Sequence, residues 1–246
     1  MILDKFPKAL WINLDRSIDR RRHMEKLLSD YNIEHIRIPA IDGSDPNNLE
    51  YKNICIPNKT YSSLINACTC SHIKALKYFI EKMIDDSIVI FEDDVSFEFL
   101  KFIPFNWSDL SNNFPKKYNV IQLAITNESI NNYLIKSNPE MRYFSATAYL
   151  ITKTAAKKIL EKYYDQKLNI IDLSKQGYGV ADLMIFSIGD TYSIPIFTYL
   201  IADSTIHPDH VESHKEKKDT QLDMWVDITK NISTFDINKY FSKFEK

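Results

Sequence analysis

Ser87-Ile88-Val89-Ile90-Phe91-Glu92-Asp93-Asp94-Val95-Ser96-Phe97 is the stretch on which the reading of this chain turns. An unbroken apolar run, mostly β-branched, stops against three consecutive carboxylates. That is how a strand buried on both faces looks at the point where it leaves a sheet. Side chains alternate along a strand, so Glu92 and Asp94 should share one side and Asp93 the other, with Phe91 and Val95. Adjacent carboxylates at the edge of a core repel one another. Water, raised pKa values or a hard divalent cation with oxygen ligands can relieve them, and a solvated acidic loop is the alternative that needs no ligand.

Upstream of the triplet the same grammar repeats. Ala9-Leu10-Trp11-Ile12-Asn13-Leu14 reads as a buried strand. It is followed by the polar Asp15-Arg16-Ser17, with Ser17 as a plausible N-cap, and then by Met24, Leu27, Leu28 and Tyr31 at helical spacing. His35-Ile36-Arg37-Ile38-Pro39 alternates like a short strand and ends in the turn Ala40-Ile41-Asp42-Gly43. Residues 44–60 have no period and read as a long surface loop. From Ser71 a helical face recurs through Ile73, Leu76, Phe79, Ile80, Met83 and Ile84, leading into the 87–97 strand. Strand, helix, strand, loop, helix, strand predicts an α/β fold with a mixed, mainly parallel sheet flanked by helices. Three strand ends, at 13–16, 40–43 and 92–94, should then lie along one edge, where open α/β sheets place their ligands.

Composition narrows the classes. The 246 residues suit one domain, with 44% hydrophobic and 26% charged residues, as in ordinary globular proteins. The net charge is −2 and the basic residues form no long stripe, which argues against duplex nucleic acid as a partner. The N-terminus lacks the continuous apolar core of a signal peptide, and no apolar run approaches membrane-spanning length, so a cytoplasmic protein is expected. Three cysteines, Cys55, Cys68 and Cys70, give no disulfide framework and read as buried free thiols rather than half of a zinc finger. With four glycines, neither G-x-G-x-x-G nor a Walker loop can be written, so any bound nucleotide has its phosphates held in another way.

Downstream, residues 118–124 and 143–151 read as strands, 152–164 as a helix with Ala155, Ala156, Ile159 and Leu160 buried, and 194–201 as a late strand. Gly177-Tyr178-Gly179 reads as a turn before an apolar helix carrying Asp182 near its start, either as a simple cap or as a working carboxylate. His207, His210 and His214 lie in a region broken by Pro208 and lack the HExxH signature, so a surface loop is expected.

Trp11-Ile12-Asn13-Leu14-Asp15-Arg16-Ser17-Ile18-Asp19-Arg20-Arg21, Ala40-Ile41-Asp42-Gly43, Cys68-Thr69-Cys70-Ser71-His72 and Val89-Ile90-Phe91-Glu92-Asp93-Asp94-Val95, in that order, resemble the family 25 glycosyltransferases. That family includes lipopolysaccharide galactosyltransferases and procollagen galactosyltransferases. Weaker matches at Ser145 to Ile151 and Val180-Ala181-Asp182 extend the similarity. Where relatives often carry Gly-Glu-Leu-Gly-Cys, this chain has Leu64-Ile65-Asn66-Ala67-Cys68. The resemblance implies a GT-A-type, Rossmann-like fold, a UDP-linked sugar donor, a divalent cation such as Mn²⁺ and inversion at the anomeric carbon. It implies a glycan, lipopolysaccharide or collagen-like acceptor and one glycosyltransferase domain over 1–246, its nucleotide half about 1–100 and its acceptor half about 101–246.

The residues themselves suit that chemistry. Without a glycine-rich cradle, a leaving diphosphate needs a cation, and Glu92 and Asp94 are the expected metal ligands. The resemblance to GT-A enzymes implies a further ligand from the C-terminal part, for which His207 is the candidate. Asn13, Leu14, Asp15, Arg16, Ala40 and Asp42, at the ends of the first two strands, are expected to hold the nucleotide-sugar. Ser71, His72 and Asp93 are expected to join them. Inversion needs a base on the acceptor hydroxyl, and Asp182 is the candidate. Two other readings stay open: a nucleotide-sugar- or glycan-binding protein on the same fold without turnover, and a two-metal phosphodiester hydrolase.

Overall fold

The computed structural model describes residues 2–45, 48–103, 105–124, 135–136, 145–174, 180–194 and 196–200. Its first half follows the alternation of the sequence. Strand β1 (Ala9–Asn13) leads to helix α1 (Ile18–Asp30), strand β2 (His35–Pro39), a short helix α2 (Leu49–Ile54) and strand β3 (Cys55–Ile56). The long helix α3 (Ser63–Lys82) then delivers the chain to strand β4 (Ser87–Glu92). Beyond it come β5 (Val95–Ser96), a 3₁₀ turn at Glu98–Phe102, α4 (Trp107–Asn112), β6 (Val120–Gln122), β7 (Ile135–Lys136), β8 (Ala148–Thr152), α5 (Lys153–Tyr163), β9 (Tyr164–Asp165), β10 (Ile170–Asp172), α6 (Ala181–Phe186), β11 (Thr191–Ser193) and β12 (Thr198–Tyr199).

Seven strands form one sheet in the order β2-β1-β4-β8-β6-β11-β7. β2, β1, β4, β6 and β11 run one way, and β8 and β7 run against them. The sheet is therefore mixed and mainly parallel, as expected, and its strands reach across both halves of the chain. Alternation along β4 sends Val89 and Phe91 into one core and Ile88 and Ile90 into the other, and all four are fully buried. The first core includes Met24 and Leu28 of α1 and the rings of Phe97, Trp107 and Phe197. The second lies under α3, α5 and α6. Burying one such side chain stabilises the fold by about 1.5–3 kcal/mol, so a polar residue at Ile90 would cost at least that.

The turn after β4 is pinned rather than loose. β5 pairs antiparallel with β12, and Leu200 N donates to Asp94 O at 2.7 Å. Beneath it Phe97 stacks on Phe197 with ring centroids 4.4 Å apart, and Phe91 meets both rings.

Several boundaries differ from the sequence reading. Residues 44–60 are not all loop. Asn48 caps α2 by accepting from the Glu50 and Tyr51 amides, and Tyr51 and Cys55 are buried against α3, which a short segment with only two inward residues does not announce as a period. Helix α3 starts at Ser63, not Ser71, because Ser62 caps it by accepting from Ile65 N. Asn66, on its first turn, donates to the carbonyls of Asn58, Tyr61 and Ser62 and accepts from Asn58 N, tying the preceding loop down. Strand β11 ends at Ser193, and β12 (Thr198–Tyr199) belongs to another sheet, so the described part of 194–201 is not one continuous strand. Cys55 and Cys70 are buried with their sulfurs 2.9 Å apart, but Cys68 is exposed, against expectation.

Candidate active site

Parallel pairing puts the C-terminal ends of β1, β2 and β4 side by side, and α3 closes one flank. Together they enclose a cleft of about 320 Å³ lined by Asn13, Leu14, Arg16, Ala40, Asp42, Ser71, His72, Glu92, Asp93 and Asp94 among others. Gly43 permits this closure: a Cβ there would sit 2.4 Å from Ser63 O and 2.7 Å from Ala67 Cβ. Ser71 Oγ accepts from Ile41 N at 2.8 Å and donates to Ala67 O at 2.7 Å, tying the β2 turn to α3. Ala40 N donates to Asn13 O at 2.9 Å.

The three carboxylates do different jobs. Asp93 is buried on the α1 side, with Oδ2 accepting from Asn13 Nδ2 at 2.6 Å and Oδ1 accepting from Arg20 Nη1 at 2.8 Å. Burial raises its pKa, and Arg20 and Asn13 work against that rise. Asn13 Oδ1 in turn accepts from Arg37 Nε at 2.9 Å. Since Arg37 Nε can only donate, the Asn13 amide is oriented with its nitrogen toward Asp93. Asn13 and Asp93, expected to hold ligand, thus spend their polar atoms on a brace from β2 through β1 and β4 to α1.

Glu92 points the other way, into α3. Its Oε1 lies 3.0 Å from His72 Nε2 and 3.7 Å from Cys68 Sγ, and its Oε2 accepts from Thr147 Oγ1 at 2.9 Å. His72 is fully buried, in the third turn of α3 rather than at a helix start, and its Nδ1 is 3.0 Å from Tyr149 Oη. Burial opposes the charge on Glu92, yet the contact with His72 and the Thr147 hydroxyl prevail and hold the carboxyl below its ordinary pKa. Asp94 is the unsatisfied member. Its Oδ1 is buried without a hydrogen-bond partner among the described residues, and burial first, then the Glu92 charge, pushes its pKa up to about 8. An orphaned carboxylate oxygen beside a second carboxylate suits a divalent cation, so the cleft fits such an ion.

Other expected residues fall nearby or elsewhere. Arg16 Nε pairs with Asp42 Oδ2 at 2.7 Å on the cleft rim, and that hydrogen bond holds the Asp42 carboxyl well below the usual range, together with the Ser44 amide. Asp15 is exposed, pairs with Arg37, and is not among the lining residues. Asp182 is also outside the lining. It is the second residue of α6, with Val180 at the N-cap, so it is not the cap of the helix. Its carboxylate accepts from Leu183 N at 2.8 Å and Ser145 N at 3.2 Å, and the latter holds a residue at φ 115°. Burial raises its pKa, and those two amides oppose the rise. Gly177, Gly179 and His207 lie outside the described residues. Residues not anticipated as site members are Arg20, Arg37, Cys68, Thr147 and Tyr149. Placing the start of α3 at Ser63 would have shown Cys68 and His72 one helical turn apart on a single face.

Residues 6–174, more than half of the chain, match the family described as "Glycosyltransferase family 25 (LPS biosynthesis protein)". No curated protein matches the chain. Among solved structures, A197 from STIV is similar at 12% identity and TM-score 0.40, over 78% of this chain and 83% of that one. A glycosyltransferase involved in glycosylation of the major capsid of PBCV-1 is similar at 7% identity and TM-score 0.35, over 87% and 98%. An active-site mutant of LgtC is similar at 11% identity and TM-score 0.35, over 87% and 95%. These likenesses are too distant to carry weight, and the assignment rests on the family match over a chain whose strand-end motifs meet in one cleft: the protein belongs to glycosyltransferase family 25 and is a glycosyltransferase.

Proposed function

We propose that the cleft binds a UDP-linked hexose, galactose or glucose, and that the enzyme transfers it with inversion to a hydroxyl of a glycan, lipopolysaccharide or collagen-like acceptor. The observation that carries this reading is the convergence of the β1, β2 and β4 ends on one cleft, the position at which open α/β sheets receive nucleotides. Leu14 and Ala40 offer apolar wall for the base, and the Arg16–Asp42 pair at the rim offers polar groups for base and ribose. Arg20, held by Asp93, adds positive charge near the diphosphate. A divalent cation, manganese in the simplest case, would be held by Asp94 and Glu92, with His207 as a further ligand. When bound it supplies charge neutralisation on the leaving diphosphate.

Asp182 is the base in this scheme. It takes the proton from the acceptor hydroxyl as that oxygen bonds to the anomeric carbon, and the bond to the diphosphate breaks with its electron pair leaving on UDP. Its carboxylate lies within electrostatic reach of Glu92 and His72, and burial makes it more basic than an exposed aspartate. Residues 1–100 thus serve the nucleotide and the later part of the chain the acceptor. The test is UDP release across a panel of UDP-sugars, with and without manganese, in the presence of saccharide and hydroxylysyl-peptide acceptors. Release with one hexose donor is expected. Nucleotide binding without release from any donor would reduce the cleft to a binding site.

A further inference from the structure

Cys68 and His72 sit one turn apart on the cleft face of α3, and Glu92 meets them from the end of β4. One donor atom from each, Sγ, Nε2 and Oε1, lies within 4.8 Å of the other two. The His72 Nε2–Glu92 Oε1 separation is 3.0 Å and the Cys68 Sγ–Glu92 Oε1 separation 3.7 Å. A zinc ion about 2.0–2.1 Å from nitrogen and oxygen and about 2.3 Å from sulfur spaces its donors roughly 3.3–3.6 Å apart at tetrahedral angles. The triangle therefore needs only small adjustments to close on one ion.

The outer contacts point the same way. Metal-binding imidazoles and carboxylates are generally oriented through their second polar atom. His72 is held by Tyr149 Oη at Nδ1, and Glu92 by Thr147 Oγ1 at Oε2, so both side chains are fixed with the remaining donor facing Cys68. Independently, Asp94, two residues beyond Glu92 in the same cleft, leaves a buried carboxyl oxygen without a hydrogen-bond partner among the described residues. We propose that Cys68, His72 and Glu92 form a binding site for a zinc-type cation in the cleft, with a fourth position open. A thiolate and an imidazole select borderline ions over the oxygen-seeking manganese. On binding, the Cys68 thiol proton leaves to solvent, and the imidazole proton resides on Nδ1 and donates to Tyr149 Oη.

Glu92 is shared with the cation of the sugar-transfer reading, but a thiolate-to-metal band reports Cys68 alone and UDP release reports transfer alone, so the failure of one is distinguishable from the failure of the other. The test uses the full chain stripped with a chelator and titrated with Zn²⁺, Mn²⁺ and Co²⁺. One equivalent of Zn²⁺ should bind at least about a hundredfold more tightly than Mn²⁺. Co²⁺ should give intense tetrahedral visible bands and a near-ultraviolet thiolate band that Zn²⁺ abolishes. Cys68→Ser, at an exposed position, should erase the thiolate band, whereas Cys70→Ser should keep it. Tyr149→Phe should weaken Zn²⁺ about tenfold through the freed imidazole. A cobalt spectrum without a thiolate band, a band that survives Cys68→Ser, or equal affinity for Mn²⁺ and Zn²⁺ would overturn the proposal.

Discussion

The brace between Asn13 and Asp93 can be tested by changing one atom. Asn13→Asp keeps the shape of the side chain and the acceptor for Arg37 Nε, but replaces the amide nitrogen 2.6 Å from Asp93 Oδ2 by a carboxylate oxygen. Two unit charges at that separation repel by about 6 kcal/mol at an effective dielectric of about 20, so the buried pair will take up a proton instead. Holding an ordinary carboxyl of pKa about 3.9 protonated costs about 1.4 kcal/mol per pH unit, hence about 5–6 kcal/mol near pH 8 and about 1.5 near pH 5. Arg20 and Arg37 flank the pair and reduce both figures, to an expected loss of about 3 kcal/mol near pH 8 and about 1 near pH 5.

The sign follows from proton counting. The folded variant retains a proton that its unfolded chain has lost above about pH 5, so its stability falls as pH rises. Burial already raises Asp93 in the parent, so the quantity to read is the difference between variant and parent at each pH. Urea denaturation followed by tryptophan fluorescence at the two pH values supplies it. A difference near zero at pH 8, or one that does not change with pH, would mean that Asn13 is not the donor to Asp93 and that the strand ends are joined in some other way.

Three further expectations concern the cleft. Gly43→Ala forces its Cβ against the Ser63 carbonyl and should cost about 1–3 kcal/mol, with weaker UDP binding; an unchanged melting temperature would show that the turn can shift freely. Asp42→Asn should flatten the acid limb of stability. The Asp42 carboxyl is depressed by Arg16, so its contribution is present above about pH 4 and is lost as pH falls toward the folded value. The pair is partly exposed, which keeps the effect small, and a parallel acid titration of parent and variant checks it. Asp182→Asn should lower transfer by about a hundredfold or more while UDP affinity survives, and should remove an acid limb in which the rate rises with pH through a pKa raised by burial. Because the new amide NH₂ would face one of the two N–H groups that the carboxylate accepts from, Ser145 or Leu183, its melting temperature should also fall, and a fully active variant would assign Asp182 to bracing these amides alone.

Much of the fold was legible because strands buried on both faces write themselves as unbroken apolar runs. Val89-Ile90-Phe91 and Leu10-Trp11-Ile12 gave neighbouring strands, and the polar residues that stop them marked the cleft. What stayed hidden lacked a period. Helix α2 has too few turns to show one, and the first turns of α3 are set by the Ser62 cap and the buried Asn66, which stands on no apolar stripe. Partnership was hidden too. Nothing local to Asn13 shows that its amide faces Asp93, eighty residues away, or that Thr147 will cap the far oxygen of Glu92.

The acid triplet shows why such a motif names a site more readily than it names ligands. Strand alternation sends Asp93 to α1 and Glu92 to α3, so neighbours in sequence meet unlike partners: arginine and amide on one side, imidazole, thiol and hydroxyl on the other. Two of the three charges are thereby compensated inside the protein. The cost of confining them falls on Asp94, whose Oδ1 has no partner among the described residues and whose pKa is pushed up to about 8 by burial and by the Glu92 charge. A carboxyl oxygen left without a partner while its neighbours are tightly paired is what a cation in the cleft would complete, displacing the proton that burial favours. If the cleft binds such an ion, its affinity should depend as much on Asn13, Arg20, Thr147 and Tyr149, which fix the neighbours, as on the carboxylates themselves.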